Sequence, residues 1–184
     1  MGFSREWIII AAASLALGYG LGSLYPALGQ PAIPVGQSSI EPVFSPGADG
    51  PVLAFVSSAQ ETLDVELYQF SYPPLKEALV AAAGRGVRVR LLLEPRVESN
   101  LQTAAFLASK GVAVRWASTS YTNTHSKTAV ADGKRVLVGS INWSGNAMKT
   151  NRESGVVVGD PSVAQEFERV FEEDWADGTP AVAG

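Results

Sequence analysis

The sequence predicts an α/β protein, with a mixed, mostly parallel central sheet between helix layers, preceded by an N-terminal hydrophobic helix. Two observations carry the fold class: from residue 52 onward, apolar runs of strand length alternate with segments of helix length. Glycine and proline punctuate the joints, at Pro73-Pro74, Gly84, Gly86 and Gly111. The hydrophobic helix is predicted by a charge-free apolar block, Trp7 to Leu28.

That block follows Arg5 and suits either a secretory signal peptide or a retained membrane anchor over residues 1–29. Its length is near the roughly 20 residues a membrane span needs, whereas Ala27 and Gly29 form a small-x-small pair that a signal peptidase could use. The protein is expected to be membrane-anchored and facing outward, or secreted or periplasmic if the segment is cleaved. Residues 30–50 read as a Pro/Gly/Ser-rich tether, with Pro31, Pro34, Pro42 and Pro46 opposing helix and room for one short strand at Ile40 to Phe44. The folded domain is expected over residues 40–178, and residues 179–184 as a flexible tail.

A helix over Val52 to Ala59 leads into a strand, Thr62 to Phe70, in which Leu63, Val65 and Leu67 alternate with polar residues. Pro73 and Pro74 suit the first turn of a helix running to Ala83. Val87 to Leu93 follows as a strand buried on both faces. The cycle repeats with a helix over Ser99 to Lys110 and a strand over Val112 to Trp116. After a polar loop, Ser118 to Thr124, the runs His125 to Ala131 and Arg135 to Ile141 flank Asp132-Gly133-Lys134 and predict a hairpin. A strand at Ser154 to Val158 and a helix at Ser162 to Trp175 complete the domain.

Composition removes several functional classes. The 184 residues include no cysteine, so disulfides and Cys/His zinc modules are excluded, and the single histidine, His125, excludes any mechanism that needs two imidazoles from one chain. Net charge is −4, unevenly spread. Seven carboxylates lie between Asp160 and Asp177 against one Arg169, whereas four arginines between Arg85 and Arg96 face only Glu94. Around His125, the cations Lys127, Lys134, Arg135, Lys149 and Arg152 outnumber Asp132 and Glu153. The acidic run reads as a solvated helix face, and the arginines as a track for a phosphate backbone or the exposed face of a strand end.

From His125 the sequence HSKTAVADGKRVLVGSIN spells H-x-K-x4-D-x6-G-S-x-N. Six specified positions make chance occurrence roughly one in 10^6 at average composition. Side chains two apart on a strand share a face, which pairs His125 with Lys127 and Ser140 with Asn142. A two-residue turn at Asp132-Gly133 or Gly133-Lys134 would place odd positions of the first strand opposite even positions of the second, so the four groups would meet. Gly133-Lys134 would set His125 opposite Asn142 and Lys127 opposite Ser140. Such a cluster suits a phosphate diester: a cation from Lys127, a neutral donor from Asn142, a hydroxyl from Ser140, and an imidazole able to attack phosphorus. Nothing in it requires a metal or another cofactor, and none is expected. Asp132, at the turn, is expected to brace that turn or pair with a basic neighbour.

This motif is the signature of the phospholipase D superfamily. The stretch from about Pro42 to Trp175 resembles its short, single-motif bacterial nucleases, with VFSP at Val43 to Pro46, LYQF at Leu67 to Phe70, ALVAAAGRGVRVRLLLE at Ala78 to Glu94 and EFERVFEEDW at Glu166 to Trp175. The resemblance implies the phospholipase D/nuclease fold and a metal-independent phosphodiesterase working through a phosphohistidine. It implies catalytic roles for His125, Lys127, Asn142 and Glu153, the last orienting the imidazole, with Gly139, Ser140 and Asp132 in support. It also implies a second histidine as general acid and base. The chain has one, so a homodimer placing both motifs in one cleft is expected. The substrate reading is an endonuclease on DNA or RNA first, a phospholipase D on phosphatidylcholine- or cardiolipin-type lipid second, and a non-catalytic phosphate binder third. The membrane is the expected further partner, through the N-terminal segment.

Overall fold

The computed structural model describes residues 38–181. The apolar N-terminal block, and with it the expected hydrophobic helix, lies outside the described residues, as do residues 30–37 of the tether and residues 182–184; the rest of the expected tether, residues 38–50, forms a full strand and the start of a helix. Among the described residues no helix is long and apolar enough to cross a membrane.

The chain forms β1 (Ser39–Ser45), α1 (Asp49–Ser58), β2 (Thr62–Leu67), α2 (Pro73–Gly84), β3 (Arg88–Leu93), α3 (Glu98–Ser109) and β4 (Ala113–Trp116). It continues through β5 (Lys127–Ala131), β6 (Arg135–Gly139), α4 (Gly145–Lys149), β7 (Glu153–Gly159), α5 (Pro161–Asp177) and β8 (Thr179–Pro180). The strands make one sheet in the order β1-β7-β6-β5-β2-β3-β4-β8.

A mixed α/β architecture is what the sequence predicts, but the sheet is not mostly parallel. Only β2-β3 and β3-β4 pair in parallel, and the other five pairings are antiparallel. The cause is the connections: α2 and α3 carry the chain back to start a parallel strand, whereas the short turn between β5 and β6 can only reverse it.

One face of the sheet packs against α1, α2 and α3 through Val52, Phe55, Leu75, Leu79, Ala104 and Leu107. The other is covered by α5, where Ala164 and Phe167 meet Val130 and Val136, and Phe171 and Trp175 meet Leu92. Asp160 caps α5 by accepting from the N–H groups of Ser162 and Val163, and Pro161 fills the first turn.

Covering this second face alters the reading of two charged segments. The polar phase of β2 does not meet water: Asp64 and Glu66 are buried beneath α5. Arg90 lies between them and the helix, forked onto Asp64 at 2.7 and 2.9 Å and onto Glu172 at 2.6 and 3.0 Å, and it rests against Phe171 and Trp175. The acidic helix is therefore partly an internal counter-charge. Nor do the arginines form a free track: Arg85 donates to the carbonyls of Ser57 and Ala59, and Arg96 pairs with Glu94.

The segment expected to be a flexible tail begins with a strand. Thr179 and Pro180 pair with Trp116 and Arg115, and the Ala181 N–H donates to the Val114 carbonyl at 3.0 Å. This pairing covers part of the otherwise open edge of β4.

Candidate active site

His125 is exposed in the last residues of the β4-β5 loop, just before β5. The Ser126 carbonyl accepts from the Tyr68 N–H at 2.8 Å, so the end of β2 holds the backbone beside the imidazole. Lys127, the first residue of β5, is buried at 7% exposure. Its ammonium lies 3.0 Å from Nδ1 and 3.2 Å from Nε2 of His125, and donates to the His125 carbonyl at 2.7 Å. Burial pushes the ammonium below the usual lysine range, and the Glu153 carboxylate opposes that shift.

Ser140 and Asn142 reach this region by a route the sequence reading did not anticipate. The β5-β6 register pairs Ala131 with Arg135 and Thr128 with Val138, which leaves a three-residue turn, Asp132-Gly133-Lys134. Extending that register puts Lys127 opposite Gly139, not Ser140. The expected alternation therefore fails by one residue, because Asp132 and Gly133 both take positive φ, at 57° and 61°, and Lys134 completes the loop. Instead, β6 ends at Gly139 and the chain crosses toward the end of β2, where the Trp143 N–H donates to the Gln69 carbonyl at 3.0 Å. Asn142 is carried there with it, and its Oδ1 is buried without a hydrogen-bond partner.

Ser140 lies beside the first residue of β7. Its hydroxyl donates to the Glu153 carboxylate, and Asn151 Nδ2 donates to the other carboxylate oxygen at 3.2 Å. Glu153 thus bonds Ser140 and Asn151 within this chain, and its reach toward Lys127 is through charge. The close approach of β6 and β7 depends on Gly139: a Cβ there would lie 2.4 Å from both Gly155 Cα and the Ser154 carbonyl. Gly139 serves strand packing, which brings Ser140 against Glu153.

Asp132 stands at the other end of β5, about 16 Å from Lys127 at a strand's usual rise. Its Oδ1 accepts the N–H groups of Gln60, Glu61 and Thr62 at 3.1, 2.8 and 3.0 Å. Burial works to raise its carboxyl, but these donors outweigh it and hold the group below the usual carboxylate range. The motif's aspartate therefore ties the hairpin to the α1-β2 loop and is not brought to His125.

Tyr68 was not singled out from sequence. Its ring centre lies 4.3 Å from that of His125, tilted by 52°, and 5.0 Å from the Lys127 ammonium. The available signal was positional, since ligands in open α/β sheets gather outside the carboxyl ends of parallel strands, where Tyr68 follows β2. Among the described residues no group of three or more His, Asp or Glu side chains is placed to hold a metal ion.

An exposed imidazole backed by a buried lysine, with a serine, an amide and a carboxylate at the strand ends, makes up the candidate site on this α/β sheet. Residues 52–175 match the family described as cardiolipin synthase, PLD-like domain, and the chain belongs to the phospholipase D superfamily as one of its hydrolases. It is 32% identical to the mitochondrial cardiolipin hydrolase of Xenopus tropicalis, over 96% of this chain and 92% of that protein. It is 26% identical to a phospholipase D of Rickettsia prowazekii, over 71% and 65%. Among solved structures it is similar to Nuc, a phospholipase D family member from Salmonella typhimurium, at 27% identity and a TM-score of 0.74, covering 78% of this chain and 98% of Nuc.

Proposed function

We propose that the chain hydrolyses phosphodiesters without a metal, by covalent catalysis at His125 in a homodimer. The observation that carries this reading is the Lys127 ammonium at 3.0 and 3.2 Å from the two ring nitrogens of the exposed His125. A cation fixed beside the nucleophile is placed for the non-bridging oxygens of a phosphate under attack.

In the first step a ring nitrogen of His125 bonds to phosphorus and the P–O bond to the leaving group breaks. The leaving oxygen takes a proton from a general acid. In the second, water attacks phosphorus, the P–N bond breaks, and the water's proton goes to the base that the first step left behind. One chain holds one imidazole, so the acid and base is the His125 of a second copy. Glu153 takes the orienting role in that assembly by turning from Ser140 to the imidazole. Ser140 is then free to donate to the phosphate, and Asn142 presents its amide N–H after rotation about its last torsion.

Nucleic acid is the first substrate reading. It is supported by an open site, with His125 and Ser140 exposed at the sheet's end, which suits a continuous backbone passing across it. Membrane phospholipid is the second reading. Arg85, Arg90 and Arg96 are each bonded to groups of the fold, which leaves Arg88 and no continuous phosphate track, and the similarity to the cardiolipin hydrolase of Xenopus tropicalis extends over nearly the whole chain. The test is the full chain in mild detergent and excess chelator, offered plasmid, single-stranded DNA, RNA, and phosphatidylcholine or cardiolipin vesicles. The cleaved pool names the substrate. Retention of turnover by His125→Ala, or turnover by a strictly monomeric protein, overturns the mechanism.

A further inference from the structure

His125 is the next-to-last residue of a loop, residues 117–126, that forms neither helix nor strand, so beyond the backbone bond from Tyr68 to Ser126 its position is supplied by side chains. The residue in front of it is held by Glu94, which directly follows β3 and is fully buried. Glu94 Oε2 accepts the Thr124 N–H at 2.7 Å. Oε1 accepts the Arg96 N–H at 3.0 Å and its guanidinium at 2.9 Å. The far end of that guanidinium donates to the carbonyls of Thr119 and Tyr121, at 3.2 and 3.1 Å. One carboxylate thus holds the end of the loop directly and its middle through Arg96.

The other side of the imidazole returns to the same point. Asn100 Nδ2 donates to the Glu94 carbonyl at 2.9 Å and to the Tyr68 carbonyl at 2.8 Å, while its Oδ1 accepts the Phe70 N–H at 2.9 Å. Tyr68 is the ring that packs against His125. A fully buried carboxylate is costly unless it is paired and hydrogen-bonded, and here every donor it holds comes from Arg96 or from the residue preceding the nucleophile.

We propose that Glu94 is a positioning residue for His125, acting through Thr124 and Arg96; this rests on the reading of His125 as the nucleophile. In-line attack tolerates little displacement, so a loosened loop lowers the rate of the chemical step more than it weakens substrate binding. Glu94→Gln keeps the shape but replaces one acceptor oxygen with a donor group that faces donors, and Arg96→Ala releases the middle of the loop and takes the charged partner from Oε1 while leaving the Thr124 bond in place.

The experiment exploits the single histidine, whose imidazole gives one isolated set of NMR signals in the full chain labelled at histidine. Glu94→Gln is expected to shift or split those signals and to lower kcat roughly 10- to 100-fold, with KM changed by less than about threefold. Arg96→Ala is expected to do the same more weakly, by about threefold to tenfold in kcat. The proposal is overturned if Glu94→Gln is folded and keeps the wild-type imidazole signals and kcat per folded molecule. Should Glu94→Gln not fold, Arg96→Ala decides by the same criteria. Absence of turnover in the wild type would count against the functional reading alone, since the imidazole signals still report the geometry.

Discussion

Gly139 and Gly155 face each other across β6 and β7 at a separation that leaves no room for a methyl group, because a Cβ on Gly139 would come within 2.4 Å of Gly155 Cα. Gly139→Ala must push β7 away and separate Ser140 from Glu153. The expected cost is about 1–3 kcal/mol of stability from overpacking, together with loss of activity. Denaturant unfolding and a turnover assay check both, and an alanine variant of unchanged midpoint would refute the steric argument.

Asp132 belongs to the motif in sequence but to the scaffold in space. Asp132→Asn keeps one acceptor oxygen and tolerates the left-handed backbone, but it loses the charge that holds three N–H groups. It is expected to lose about 1–2 kcal/mol of stability while kcat per folded molecule stays within about twofold. Lys127→Met should do the reverse, abolishing turnover in a folded protein. A collapse of kcat in a stable Asp132→Asn would show that the aspartate acts in the chemistry.

Arg90 is buried between Asp64 and Glu172, not spread on a surface. Removing it strands the buried carboxylate of Asp64, whereas Glu172 is half exposed and turns to water, so Arg90→Met should destabilise the fold by about 3–5 kcal/mol. The salt dependence of substrate binding should be unaltered, since this guanidinium meets no external phosphate. A titration in which the variant loses one unit of salt slope would return Arg90 to the binding surface.

Glu66 sets a pH dependence of stability. Burial, and next the charge of Asp174 on α5, push its carboxyl up to about 7 from an ordinary 4.5, against a hydrogen bond from Ser126. The folded state thus holds a proton that the unfolded state releases earlier. The contribution is fully present below about pH 4.5, is lost as pH rises toward 7, and is constant above that. Carboxylates held low, such as Asp132 and Glu172, act in the opposite sense but only in acid. Tm should fall between pH 5 and 8 by an amount that Glu66→Gln removes. A variant curve parallel to the wild type would exclude this group as the source.

The sequence by itself determined the class of the fold, the strand and helix order along most of the domain, and the motif that supplies the candidate site residues. Apolar periodicity and turn residues are local properties, and the spacing of His125, Lys127, Ser140 and Asn142 is written along one short stretch. Tertiary structure alone decided which of these residues come together. The one-residue shift in hairpin register depends on a turn conformation that Asp132-Gly133-Lys134 can adopt in more than one way, and the descent of α5 onto the polar face of β2 depends on pairing across the whole chain. The same holds for Glu94: a carboxylate at a strand's end reads as solvent-facing until the loop folds back and buries it, because hydrogen bonds between residues thirty positions apart leave no periodic trace in the sequence.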